Sequence, residues 1–176
     1  MRLRYLAMPT ATADQFRTSG LDDFGNPIRA MTADSDRGYF CRHCLVQPRK
    51  GHDVLLGSYN IAQPKGHYWQ PSPIFVHDNS CPRYESESEL PPDVRAIQLV
   101  NVRPYDEKDR MLYDLNDTVT GDRIETLLDR CFADERTRFA NIHTGRPGCF
   151  LCRVERLDRA RWRGRRQSPE RWPAAV

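Results

Sequence analysis

Arg95-Ala-Ile-Gln-Leu-Val-Asn-Val-Arg-Pro-Tyr105 and, across Asp106-Glu-Lys-Asp109, Met111-Leu-Tyr-Asp-Leu-Asn-Asp-Thr-Val119 carry the pattern that decides the fold. Ile97, Leu99 and Asn101 alternate with Gln98, Val100 and Val102, a period of two that predicts a strand. Met111–Val119 is its expected antiparallel partner, closed by the charged turn between them. Gly121-Asp122 then opens the principal helix, where Ile124, Leu127, Leu128 and Cys131 fall at i, i+3, i+4 and i+7 on one apolar stripe. Working outward, further strands are expected at Arg2–Met8, Asp53–Ile61, Ile74–His77, Arg138–His143 and Cys149–Arg156. Short accessory helices are expected after Thr12, which forms a capping box with Gln15 and stops at Gly20, and at Pro91-Pro92. Asp22–Arg37, rich in Asp, Gly, Asn and Pro, reads as an irregular loop. Hairpin-linked strands with one good helix make an α+β domain on a mainly antiparallel sheet.

The 176 residues fit one domain with a real core, burying about 70% of its unfolded surface. Apolar residues are 39% and charged residues 29%, which places the chain among globular proteins. No apolar run approaches the roughly 18 residues of a membrane span. Met1–Met8 is interrupted by Arg2 and Arg4 and lacks the apolar stretch of an export signal, so the expected location is the cytoplasm. The formal charge of +3 is unevenly spread. Residues 157–176 hold six arginines against Asp158 and Glu170, a net of +4, so residues 1–156 carry −1. A domain over 1–156 followed by a basic tail over 157–176 is the natural division. Among the 27 basic residues only Lys50, Lys65 and Lys108 are lysine, which reads as the codon bias of a high-GC bacterium. Six cysteines without an export signal read as thiols, free or metal-bound, instead of disulfides.

Three stretches taken together, Phe40-Cys-Arg-His-Cys-Leu45, Pro73-Ile-Phe-Val-His77 with Cys81, and Gly148-Cys-Phe-Leu-Cys-Arg-Val-Glu-Arg156, resemble a bacterial family catalogued as domain of unknown function 1203. Arg103-Pro-Tyr-Asp106 is similar to a strand of the same family. Ser72 departs from it, standing where the family has glycine before Pro-Ile-Phe. The resemblance runs over residues 1–156, leaves the tail outside, and implies no activity, substrate or cofactor.

The sharpest chemical pattern is Cys41-x2-Cys44 followed by His77-x3-Cys81. Two cysteines three positions apart can turn both sulfurs onto one ion, and the His/Cys pair completes a Cys3His shell suited to zinc. A full protein shell leaves no position for water, so such a zinc is structural. Geometry sets the condition: a straight strand over Phe40–Leu45 would point the two thiols to opposite faces. A turn is required, although no glycine or proline lies between them. Cys149-x2-Cys152 could join this knuckle, but Phe150, Cys152 and Val154 share a strand face, which makes Cys152 core filling with Cys149 beside Arg153.

Two other classes of function compete with a small binding or accessory domain. Cys149 follows a Pro-Gly turn with His143 six residues earlier, the parts of a thiol nucleophile and its base, with Arg146 and Arg153 near enough to lower the thiol pKa. Trp162 and Trp172 among the tail arginines suit single-stranded nucleic acid. Tyr68 and Trp69 read as covers for a core edge. No phosphate-binding glycine loop, His-Glu-x-x-His or serine elbow is present.

Overall fold

In the computed structural model, which describes residues 2–61, 67–86 and 88–157, the period-two segments form two antiparallel sheets. The larger runs β1 (Leu3–Leu6), β8 (Phe150–Arg156), β7 (Phe139–Thr144), β5 (Val100–Tyr105), β6 (Asp117–Val119). The smaller runs β2 (Arg29–Thr32), β3 (Asp53–Tyr59), β4 (Ser72–His77). The α+β reading holds, with two sheets where one was expected. No described helix is long and apolar enough to cross a membrane.

The stripe on the principal helix behaves as its spacing demands. A 3-10 turn, Gly121–Arg123, leads into α3 (Ile124–Ala133), which buries Ile124, Leu127, Leu128 and Cys131 together with Phe132. They pack on Val100, Val102, Ala140, Ile142, Cys152 and Val154 of the larger sheet. Each such aliphatic side chain contributes about 1.5–3 kcal/mol when fully buried. Gly121 fixes where this helix starts. Its N–H donates to the Ile97 carbonyl at 3.0 Å, and a Cβ there would overlap the Arg95 carbonyl and lie 2.6 Å from that of Ile97. Backbone cannot yield as a side chain does, so Gly121→Ala is expected to lower stability by about 3 kcal/mol in denaturant titration. An unchanged midpoint would show that α3 is free to shift.

Several expectations are corrected. Met111–Val119 is a strand only at Asp117–Val119. Leu112 and Leu115, three apart, turn inward instead, with the Leu112 N–H on the Pro104 carbonyl and the Leu115 N–H on that of Leu112. The strand over Arg95–Tyr105 begins at Val100, because Pro91-Pro92 starts α2 (Pro92–Arg95) and the Ile97 and Leu99 carbonyls are taken by Gly121 and Gly145. Helix α1 (Thr10–Ser19) has Pro9 at its N-cap position, so Thr12 is not its cap, while Gly20 does stop it in the left-handed region at φ 67°. Asp22–Arg37 contains β2, an edge strand with exposed side chains and hence no alternation to read.

A register shift in the β7/β8 pair also changes the last strand. Ile142 faces Cys152 and His143 faces Phe150, leaving Leu151 as the extra residue of a bulge. Phe150 therefore joins the smaller core with Phe16, Tyr59, Ile74 and Val76, while Cys152 and Val154 join the larger one. Trp69 covers an edge as expected, packing on Phe24 and donating its indole N–H to Asn60 at 2.9 Å. The arginine-rich tail, and the nucleic-acid reading that rests on it, lies in residues 158–176, outside the described residues.

Candidate metal centre and a buried polar cavity

The knuckle requires a turn, and the chain makes one without glycine. Between β2 and β3 the backbone reverses at Arg42–Cys44. The Leu45 N–H donates to the Cys41 carbonyl and the Cys41 N–H to the Val46 carbonyl, each at 3.0 Å. Leu45 takes the left-handed conformation, φ 56°, that glycine usually supplies. For a leucine this costs about 1–2 kcal/mol. Its burial offsets the cost: Leu45 is 1% exposed in the larger core, with Phe40 beside it. The knuckle is seated on both sheets, through the Arg42 N–H to the Phe75 carbonyl of β4 (2.9 Å) and the Arg42 Nε to the Phe150 carbonyl of β8 (2.6 Å).

At this junction Cys41, Cys44, His77 and Cys81 converge. One ligand atom from each lies within 4.8 Å of all the others. Cys41 Sγ and Cys81 Sγ are 4.0 Å apart, and Cys44 Sγ lies 3.4 Å from His77 Nδ1. A tetrahedral zinc with ordinary bond lengths has sulfur–sulfur edges of about 3.8 Å and sulfur–nitrogen edges of about 3.5 Å. These two edges lie close to that single-ion geometry. His77 ends β4 and Cys81 stands just beyond it, so the pair is presented by a strand terminus and its loop. Cys41 is fully buried, Cys44 nearly so, and His77 and Cys81 are half-buried.

The surroundings are built for thiolates. Arg17 on α1 donates from Nη2 to Cys81 Sγ (3.4 Å) and from Nε to the His77 carbonyl (3.1 Å), holding both ends of the second ligand pair. The ring of His43, 1% exposed, sits between the Thr10 hydroxyl at Nε2 (3.0 Å) and Cys81 Sγ at Nδ1 (3.3 Å). In the tautomer with the ring proton on Nδ1, Nε2 accepts from Thr10 and the proton is aimed at the sulfur. Arg42 is 2% exposed, bonds the Phe40 and Phe150 carbonyls, and has no carboxylate partner among the described residues. Burial pulls its pKa down to about 10, opposed by Cys149, Cys41 and Cys152, so it stays charged at neutral pH. Three thiolates on a zinc dication leave one negative charge, and Arg17 and Arg42 stand ready to balance it. Without metal the sulfurs share protons unevenly. Hydrogen bonds from Cys44 and Cys81 hold Cys41 far below the usual thiol range, donation to Cys41 drives Cys44 up, and bonding to Cys41 and Cys81 raises His77 to about 9.

Cys149 and Cys152 take no part in this cluster. Cys152 is fully buried in the larger core, where burial pushes its thiol up to about 12. Cys149 and His143 line one small cavity of about 60 Å³ with Ser72 and Gly148. No hydrogen bond joins the two side chains among the described residues. His143 Nδ1 instead lies 2.9 Å from the Gly148 carbonyl, to which it donates. Burial first, then the charge of Arg103, lowers its pKa to about 3. An imidazole that resists protonation so strongly is a poor base for a thiol.

His143 carries a pH dependence whose sign is fixed. Its folded pKa of about 3 lies below the 6.5 of an unfolded histidine, so the unfolded chain binds more protons between those values. Stability is whole above pH 6.5 and is lost as pH falls toward 3, by about 5 kcal/mol from this one group. Denaturant titrations should show the acid-side slope shallower in His143→Gln by that amount; parallel slopes would mean that the imidazole is solvated.

A family model described as protein of unknown function (DUF1203) matches residues 38–156, from the start of the knuckle to the end of β8. The chain belongs to that family. The DUF1203 segment includes all four cluster residues as well as Arg42, His43, His143 and Cys149, while Arg17 and the first two strands precede it. No curated protein and no solved structure matches the chain.

Proposed function

We propose that Cys41, Cys44, His77 and Cys81 hold one structural zinc ion, and that the chain is a small binding domain in which this ion ties the knuckle to the end of the smaller sheet. The observation that carries the reading is the pair of edges, 4.0 Å between Cys41 and Cys81 sulfurs and 3.4 Å from Cys44 Sγ to His77 Nδ1. They fit one tetrahedral ion, and the sulfur-rich donor set favours zinc over hard cations. An iron–sulfur cluster has several metal atoms to surround and needs its cysteines further apart than these four atoms within 4.8 Å. Arg17, donating to Cys81, supports the thiolate state. With four protein ligands the shell is closed, so the ion's work is cohesion of the fold.

Elemental analysis of the full chain, purified without added metal, tests this. About one zinc per chain is expected, falling to trace levels in Cys41→Ser. Metal-free protein that does not take up zinc when it is offered would end the proposal.

A further inference from the structure

The metal cluster is open on one side. A surface trough of about 380 Å³ runs along the end of the smaller sheet, lined by His52 and Asp53 where β3 starts and by His77, Asn79 and Cys81 where β4 ends. Residues 78–80 beside it are exposed. Neither knuckle cysteine lines the trough, and both are buried, Cys41 at 0% exposure and Cys44 at 7%. Of the three clustered sulfurs, a small solute entering from this side meets that of Cys81.

Three features coincide at Cys81. Its side chain borders the trough. Arg17 Nη2 donates to its sulfur at 3.4 Å and so favours the thiolate, the form that attacks peroxides. A second sulfur, Cys41 Sγ, stands 4.0 Å behind it in the buried part of the cluster. A disulfide needs about 2.05 Å between the sulfurs. Closing the gap falls to Cys81 on its exposed loop, because the N–H and carbonyl of Cys41 are both bonded within the knuckle turn. The remaining cysteines lack this combination. Cys131 and Cys152 are fully buried, and burial pushes their thiols up to about 11 and about 12. Cys149 is partly exposed, but no second cysteine lines its cavity.

We propose that Cys81 is a peroxide-reactive thiolate whose oxidation to a Cys41–Cys81 disulfide releases the zinc, making the cluster a redox switch. This rests on the zinc reading and adds regulation to it. Hydrogen peroxide is the oxidant. The Cys81 sulfur attacks one peroxide oxygen, the O–O bond breaks and hydroxide leaves, giving a sulfenic acid. The Cys41 thiolate then attacks the Cys81 sulfur, an S–S bond forms, the S–O bond breaks and a second hydroxide leaves. Each sulfur gives one electron, the peroxide takes both, and the two hydroxides become water with protons from solvent. The ion keeps only Cys44 and His77 of its four ligands and departs as the aqueous dication.

The test uses the full chain, its zinc first counted by elemental analysis. Hydrogen peroxide is added in the presence of a zinc-binding dye, and alkylated digests are mapped by mass spectrometry over time. Zinc release is expected to keep step with the Cys41–Cys81 bond, one ion for each bond formed. Cys81 should be consumed about tenfold faster than Cys149 at neutral pH, because an ordinary thiol is mostly protonated there. Dithiothreitol with added zinc should restore the starting state, and Cys149→Ser should release zinc at the wild-type rate. In Cys41→Ser the sulfenic acid has no partner, so dimedone should capture it on Cys81; if that variant does not fold, the wild-type time course decides alone. A chain that carries no zinc before peroxide is added ends the metal reading and the switch together. A chain that keeps its zinc under peroxide, loses it without a Cys41–Cys81 bond, or reacts first at Cys149 overturns the switch and leaves the metal reading standing.

Discussion

Cys44→Ser is expected to cost the folded chain at least about 4 kcal/mol in the presence of zinc, which is what a ligand at a thousand times its dissociation constant contributes. That is close to the whole stability of many small domains, about 5–15 kcal/mol. The reason is positional. Cys44 sits on the knuckle between both cores, while His77 and Cys81 belong to the smaller sheet and its following loop. Releasing the ion also leaves the left-handed Leu45 held only by its packing and its bond to the Cys41 carbonyl. Chelator should bring the wild type down to the level of the variant and leave the variant unmoved. If Cys44→Ser unfolds at the wild-type midpoint and chelator affects neither, metal does not hold this fold.

The second large effect is expected at Arg42. Removing one member of a buried charge pair costs about 3–5 kcal/mol, because the other is left uncompensated. Arg42→Met keeps most of the volume and loses both the charge and the bonds to the Phe40 and Phe150 carbonyls. If its charge answers the thiolates, the loss is greater in zinc-loaded protein than in metal-free protein, and zinc dissociates more readily from the variant. Equal losses in the two forms would reduce Arg42 to a bridge between carbonyls. Denaturant titrations of variant and wild type, with and without zinc, separate the cases.

The parts of this molecule legible in the sequence are those whose signal is local. The α3 stripe, the Gly20 stop and the strand at Ile74–His77 each follow from a few neighbouring residues. The metal ligands were legible as spacing, but the turn that brings Cys41 and Cys44 together was not. Its determinant is Leu45, whose strained backbone is held by a core assembled from distant segments. The same holds for β2, which exists because β3 offers an open edge. Arg17, Arg42 and His43 carried no signal as partners of thiols. Arg17 lies 64 positions from Cys81, and Arg42 and His43 sit between cysteines that drew attention to themselves. The bulge at Leu151 likewise moved Phe150 to another core, a shift of one residue that no alternating pattern reveals.

X-ray absorption at the zinc edge of the full chain probes the cluster most directly. The spectrum is expected to show three sulfurs at about 2.3 Å and one nitrogen at about 2.0 Å around a single metal. A shell made only of oxygen and nitrogen, or with fewer sulfurs, would contradict the convergence of Cys41, Cys44 and Cys81 with His77 on one ion.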